Sequence, residues 1–211
     1  MFPTIDRCYY ERFPWSGVPL ADHGEVWNLP CEVTTEAQGV SFTCYGVRLP
    51  YRFMKQATMP REDVLLLTYR VENPTAFDMD FLWAGHTMVV AQPGLTLHVP
   101  DDCVRGSAVF TNTGRIGGYG NRFHYPVFTD SQGVRRDVSR MLECDGNCEK
   151  YYFENKLREG WCAVQYPAGD VFGLSFTAQT VPYLGILHNE GDFRGLYSIF
   201  LEPCTSGFDR P

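Results

Sequence analysis

The chain has 211 residues, 44% hydrophobic and 15% aromatic, with a formal net charge of −7. That composition supplies a sizeable core and excludes a disordered chain, and the length suits one all-β unit better than two small domains. The acidic balance excludes nucleic acid as a partner: phosphate binding needs a concentrated basic face, and the densest basic run, Gly133 to Arg136, is too short to make one.

In chain order, Met1-Phe2-Pro3-Thr4 does not read as a signal peptide, and no stretch reaches transmembrane length, so no membrane partner is expected. Strand signals then dominate. Val40 to Val47, Val64 to Val71, Phe81 to Val90, Gly160 to Tyr166, Val171 to Ala178, Tyr183 to His188 and Leu196 to Leu201 are rich in β-branched and aromatic residues. Gly, Pro, Asn and Asp punctuate them at the intervals of antiparallel folds. Asn73-Pro74 closes the Val64 strand, Phe77 onward opens its neighbour, and Gln165 to Asp170 reads as a hairpin connection. Short helices are expected only at Val134 to Leu142 and Lys150 to Leu157. The expectation is an all-β, antiparallel β-sandwich in one domain, 1–211, without repeats or linkers.

Eight cysteines occur, at 8, 31, 44, 103, 144, 148, 162 and 204. No glycosylation acceptor with a permitted middle residue is present, and several cysteines sit inside apolar runs. Reduced thiols in a cytoplasmic protein are therefore expected, since buried free Cys behaves as a small hydrophobe. The Cys144–Cys148 spacing is not that of a zinc knuckle and leaves a reactive or disulfide-capable loop open.

Three segments put polar groups where packed strands do not want them. In Leu20 to Trp27, His23 precedes a glycine that lets the backbone turn or a ligand approach. In Phe81 to Val90, His86 interrupts an apolar run, sharing a face with Ala84 and Leu82 by period-two alternation. In Ser198 to Pro211, Glu202 follows the apolar Ile199-Phe200-Leu201 and is pinned by Pro203, which is expected to stop the pairing. Gly114 to Gly120 is glycine-rich but has the wrong spacing for a phosphate loop.

In this order, FPT, LADHGEVW, FLWAGHTMVV and YLGILHNEGDFRGLYSIFLEPCTSGFDRP resemble the aldose 1-epimerase (galactose mutarotase-like) superfamily, over most of the chain from Phe2 to Pro211. The resemblance implies a β-supersandwich that binds a monosaccharide on the concave face of its large sheet. It puts the general base of the LEP motif on Glu202, the general acid on His86 and a sugar contact on His23. The family's arginine falls on Arg7, Arg12 or Arg48, with Arg7 assigned here, and its sugar-binding Asp has no equivalent. Trp27, Trp83 and Trp161 are candidates to stack on a sugar's apolar face, with Trp83 assigned. Family members are usually longer, which implies a fold trimmed at both ends and a homo-oligomer in which another chain completes the sheet.

Mutarotation opens the sugar ring when a base takes the anomeric hydroxyl proton and an acid protonates the ring oxygen. A carboxylate and an imidazole suit those roles, facing each other across a hexose-sized gap. Neither metal nor redox cofactor is required. Two other readings stand beside this one: a non-catalytic carbohydrate-binding protein of the same fold, and a cupin-like metal site of His23, Glu25 and His86. The latter is weakened by the lack of a paired His-x-His.

Overall fold

Runs rich in Val, Thr, Phe and Tyr extend into antiparallel strands wherever the chain is regular. The computed structural model describes residues 1–143 and 145–209, and the described chain divides into two compact units, Met1–Trp83 and Ala84–Asp209. Among the described residues there is no α-helix, only a single 3₁₀ turn at Phe193–Gly195, and hence no helix long and apolar enough to cross a membrane.

The first unit holds β1 (Cys8–Tyr9), β2 (Pro19–Leu20), β3 (Glu32–Glu36), β4 (Gly39–Tyr45), β5 (Arg52–Arg61) and β6 (Val64–Glu72). Strands β3 to β6 form a four-stranded meander in sequence order, and β1 pairs with β2. Phe2, Tyr10, Leu20, Leu49, Tyr51 and Phe53 make the core. A disulfide joins Cys31 to Cys44.

The second unit holds β7 (Thr87–Val90), β8 (Thr96–His98), β9 (Arg105–Thr111), β10 (Arg122–His124), β11 (Val127–Thr129), β12 (Arg135–Asp137), β13 (Asn147–Phe153), β14 (Trp161–Gln165), β15 (Val171–Ser175), β16 (Tyr183–Glu190) and β17 (Tyr197–Cys204). Six of these form one sheet in the order β10-β9-β13-β16-β17-β7, and three form another in the order β15-β14-β8. One face of the large sheet sends Ala108, Tyr151, Phe153, Leu184, Ile186, Ile199 and Leu201 into a core shared with Leu97, Cys162 and Val164 of the small one. These sheets pack as a sandwich.

The all-β expectation holds, and the hairpin at Gln165 to Asp170 joins β14 to β15. Four readings are corrected. Neither expected helix forms. Asp130 accepts the backbone N–H groups of Gln132 and Val134, closing a turn that sends Arg135–Asp137 back as a strand. Lys150 lies in β13, whose seven residues are all buried, so both faces carry packed side chains and no alternation marks the strand. The run from Phe81 reaches strand form only at Thr87, and among the described strands β6 ends its sheet, paired with β5. The thiols are not all reduced: Cys31 and Cys44 are bonded, while Cys8, Cys103, Cys148, Cys162 and Cys204 are free. Cys144 lies outside the described residues, as does the Cys144–Cys148 pair.

Candidate functional site

Strand register brings His86 and Glu202 together. Leu201 lies opposite Thr87 and Ala84 bridges to Cys204, which sets His86 across from Glu202 on the face turned away from the sandwich core. His86 Nε2 stands 3.4 Å from Glu202 Oε1. The Phe200 ring, two residues along β17 on the same face, lies 4.7 Å from the imidazole.

The sequence reading puts a hexose-sized gap between these groups and Glu202 at a strand end, and the structure corrects both. Pro203 pairs with Leu184 and Cys204 with Tyr183, so β17 runs two residues past Glu202. Proline tolerates this place because it lacks only the N–H, and its carbonyl accepts from Gly85 N at 2.9 Å. The Glu202 side chain is 0% exposed, whereas that of His86 is 31% exposed. The carboxylate therefore sits behind the imidazole, in contact with it.

A third group completes the cluster. Lys150 Nζ lies 2.8 Å from Glu202 Oε2 and 2.8 Å from Asp209 Oδ1. Tyr152 donates its hydroxyl to the same Asp209 oxygen at 2.5 Å. Burial disfavours the ammonium, but the two carboxylates outweigh it and hold the Lys150 pKa above its ordinary value. Burial, reinforced by the Glu202 charge, pushes Tyr152 and Cys204 up and keeps both neutral. Gly185 lies between Tyr152 and Glu202 in register, and a Cβ there would come within 2.7 Å of the Tyr152 ring. The glycine is what lets that ring lean across the strand. Sequence reasoning missed Lys150, Tyr152, Gly185 and Asp209. The available signal was a lysine and an acid in a stretch, CEKYYF, otherwise fit for a core strand.

His23, Arg7 and Trp83 belong to the first unit. His23 has φ 63° and pairs through Nδ1 with Asp22 at 2.8 Å. The next residue, Gly24, packs so close to the Phe2 carbonyl that a Cβ would lie 2.0 Å from its oxygen. The glycine that suggested ligand approach is thus required by the chain's own backbone. Arg7 is exposed. Trp83 packs edge-on against Tyr69 at 5.0 Å and borders the core. Glu25 is engaged structurally, accepting from the Tyr51 hydroxyl at 2.8 Å and from Val47 N at 3.0 Å. A cleft of about 650 Å³ in this unit is lined by Tyr9, Tyr10, Arg12 and Phe81, with Arg12 forked onto Asp78 and Asp80. Among the described residues no group of three or more His, Cys, Asp or Glu is placed to hold a metal ion.

Comparison of the chain with protein-family models, with curated proteins and with solved structures finds no match.

Proposed function

We propose that the chain is an aldose 1-epimerase-like enzyme that interconverts the α and β anomers of a hexose or related sugar, with Glu202 and His86 as its proton-transfer pair. One observation carries the reading: a carboxylate on β17 and an imidazole just before β7, 116 positions apart in sequence, meet at 3.4 Å. The ionised Glu202 takes the proton of the anomeric hydroxyl while protonated His86 gives one to the ring oxygen. The C1–O5 bond breaks, the C1–C2 bond rotates, and reclosure returns both protons. Because Glu202 lies behind His86, the imidazole has to turn aside to admit the anomeric hydroxyl.

The burial of Glu202 and its ion pair with Lys150 favour a second reading, a carbohydrate-binding protein of the same fold without chemistry. Polarimetry and NMR anomer exchange on freshly dissolved α-glucose and α-galactose separate the two. Under the enzyme reading the parent accelerates exchange, and Glu202→Gln slows it by about 10²–10⁴-fold while sugar binding survives. Binding without exchange in the parent supports the second reading. Full exchange by Glu202→Gln removes Glu202 as the base.

A further inference from the structure

We propose that Lys150 is the positioning residue of this site: its ammonium, held between Glu202 and Asp209, keeps the Glu202 carboxylate ionised and fixed against His86. The inference rests on the reading of Glu202 as the base, and it makes Asp209, in the segment after β17, part of the working arrangement.

The geometry divides the labour of the two Glu202 oxygens. Oε2 is anchored 2.8 Å from Lys150, while Oε1 faces His86 at 3.4 Å. One oxygen is held and the other is presented. The Lys150 side chain is only 9% exposed and lies at the centre of a fully buried strand. A lysine in such a place needs a carboxylate beside it, and a fully buried carboxylate without a cation would take up a proton and cease to be a base. Among the described residues, the titratable groups facing Glu202 are Lys150 and Tyr152 from β13, Cys204 from β17, His86 from the segment before β7, and Asp209 from the segment after β17. Among these described groups, Lys150 carries a permanent positive charge. Asp209 shares that charge at 2.8 Å and is itself fixed by the Tyr152 hydroxyl. It therefore sets how much of the ammonium's field reaches Glu202.

The test uses the full chain with Glu side-chain carboxyls labelled with ¹³C, the Glu202 signal being identified by its loss in Glu202→Gln. The midpoint of that signal's titration is read in the parent, Lys150→Met, Lys150→Arg and Asp209→Asn, alongside the pH profile of anomer exchange on glucose. Lys150→Met should raise the midpoint by about one to three pH units and carry the acid limb of exchange with it. Lys150→Arg should restore most of the shift, and Asp209→Asn should move the midpoint downward. An unchanged Glu202 midpoint in Lys150→Met overturns the proposal. Should that variant not fold, an unchanged midpoint in Asp209→Asn does the same. A parent that catalyses no exchange overturns the enzymatic reading alone, because the carboxyl titration still decides what Lys150 does.

Discussion

His188 gives the sharpest stability prediction. It lies on the core face of β16, opposite Glu149 and Ile199 on the flanking strands, 0% exposed and 5.9 Å from the Tyr151 ring. Neither ring nitrogen has a hydrogen-bond partner among the described residues. Burial, with the Arg115 charge adding to it, holds its pKa down at about 3. Unfolded, the imidazole titrates near the ordinary histidine value of about 6.5. Between those values the unfolded chain binds the proton and the folded one does not, so stability rises with pH. The contribution is fully present above about 6.5 and is lost as pH falls toward 3. At about 1.4 kcal/mol per pH unit, the loss between pH 7.5 and 4.5 is about 2.5 kcal/mol. Urea unfolding of the parent and of His188→Leu across that range reads it. Glu149, Glu190 and Arg115 act in both proteins, so the difference between the two profiles isolates the imidazole. The variant should be at least as stable at pH 7.5, since it removes a buried polar group without partners. It should also lose about 2.5 kcal/mol less on acidification. Parallel profiles, or a variant several kcal/mol weaker at neutral pH, would refute the reasoning.

Two further outcomes are expected. Gly185→Ala forces its new methyl against the Tyr152 ring and should cost about 1–3 kcal/mol of stability in thermal or urea unfolding, while a neutral result would mean that the ring does not lean across β16. Native-state alkylation followed by mass spectrometry should label half-buried Cys8 first. Cys148, pushed up to about 11, and Cys103 and Cys162, pushed up to about 12, should lag far behind, because burial suppresses each thiolate; Cys31 and Cys44 should react only after reduction.

What the sequence discloses depends on how many faces a strand buries. Strands such as β4 and β14 announce themselves through β-branched and aromatic runs, and Gln165 to Asp170 through its turn residues. β13 does not, because NCEKYYF is packed on both sides and its charged residues meet partners supplied from positions 115, 202 and 209. His86 and Glu202 are visible as polar residues in apolar runs. Their contact comes from the register of β17 against β7, and the burial of Glu202 from the extension of β17 beyond Pro203. Lys150 is the counterpart case, a functional candidate whose sequence context imitates a helix start. The Cys31–Cys44 pairing is set by where the chain enters β3 relative to β4, a matter of hairpin register.

Residues 149 and 150 point to opposite faces of β13, and each joins a cation lodged between two carboxylates. On the core face Arg115 reaches Glu149 at 2.5 Å and Glu190 at 2.9 Å, and Glu190 also accepts from Leu142 N at 3.0 Å. On the other face Lys150 reaches Glu202 and Asp209. Both triads carry the same net charge, so electrostatics alone does not distinguish them. Access does. Arg115 is 7% exposed and both its carboxylates 0%, and the imidazole nearest to them, His188, is sealed and neutral. The Lys150 triad instead touches His86, whose side chain is 31% exposed and able to exchange protons with solvent or ligand. Arg115 is better suited than lysine to a permanently closed bridge, since its planar fork stays charged and satisfies two carboxylates at once. A compact ammonium on a flexible stem suits a carboxylate whose other oxygen faces an imidazole. The sheet thus uses one charge pattern twice, and of the two copies the one at Lys150 opens onto a partly exposed imidazole.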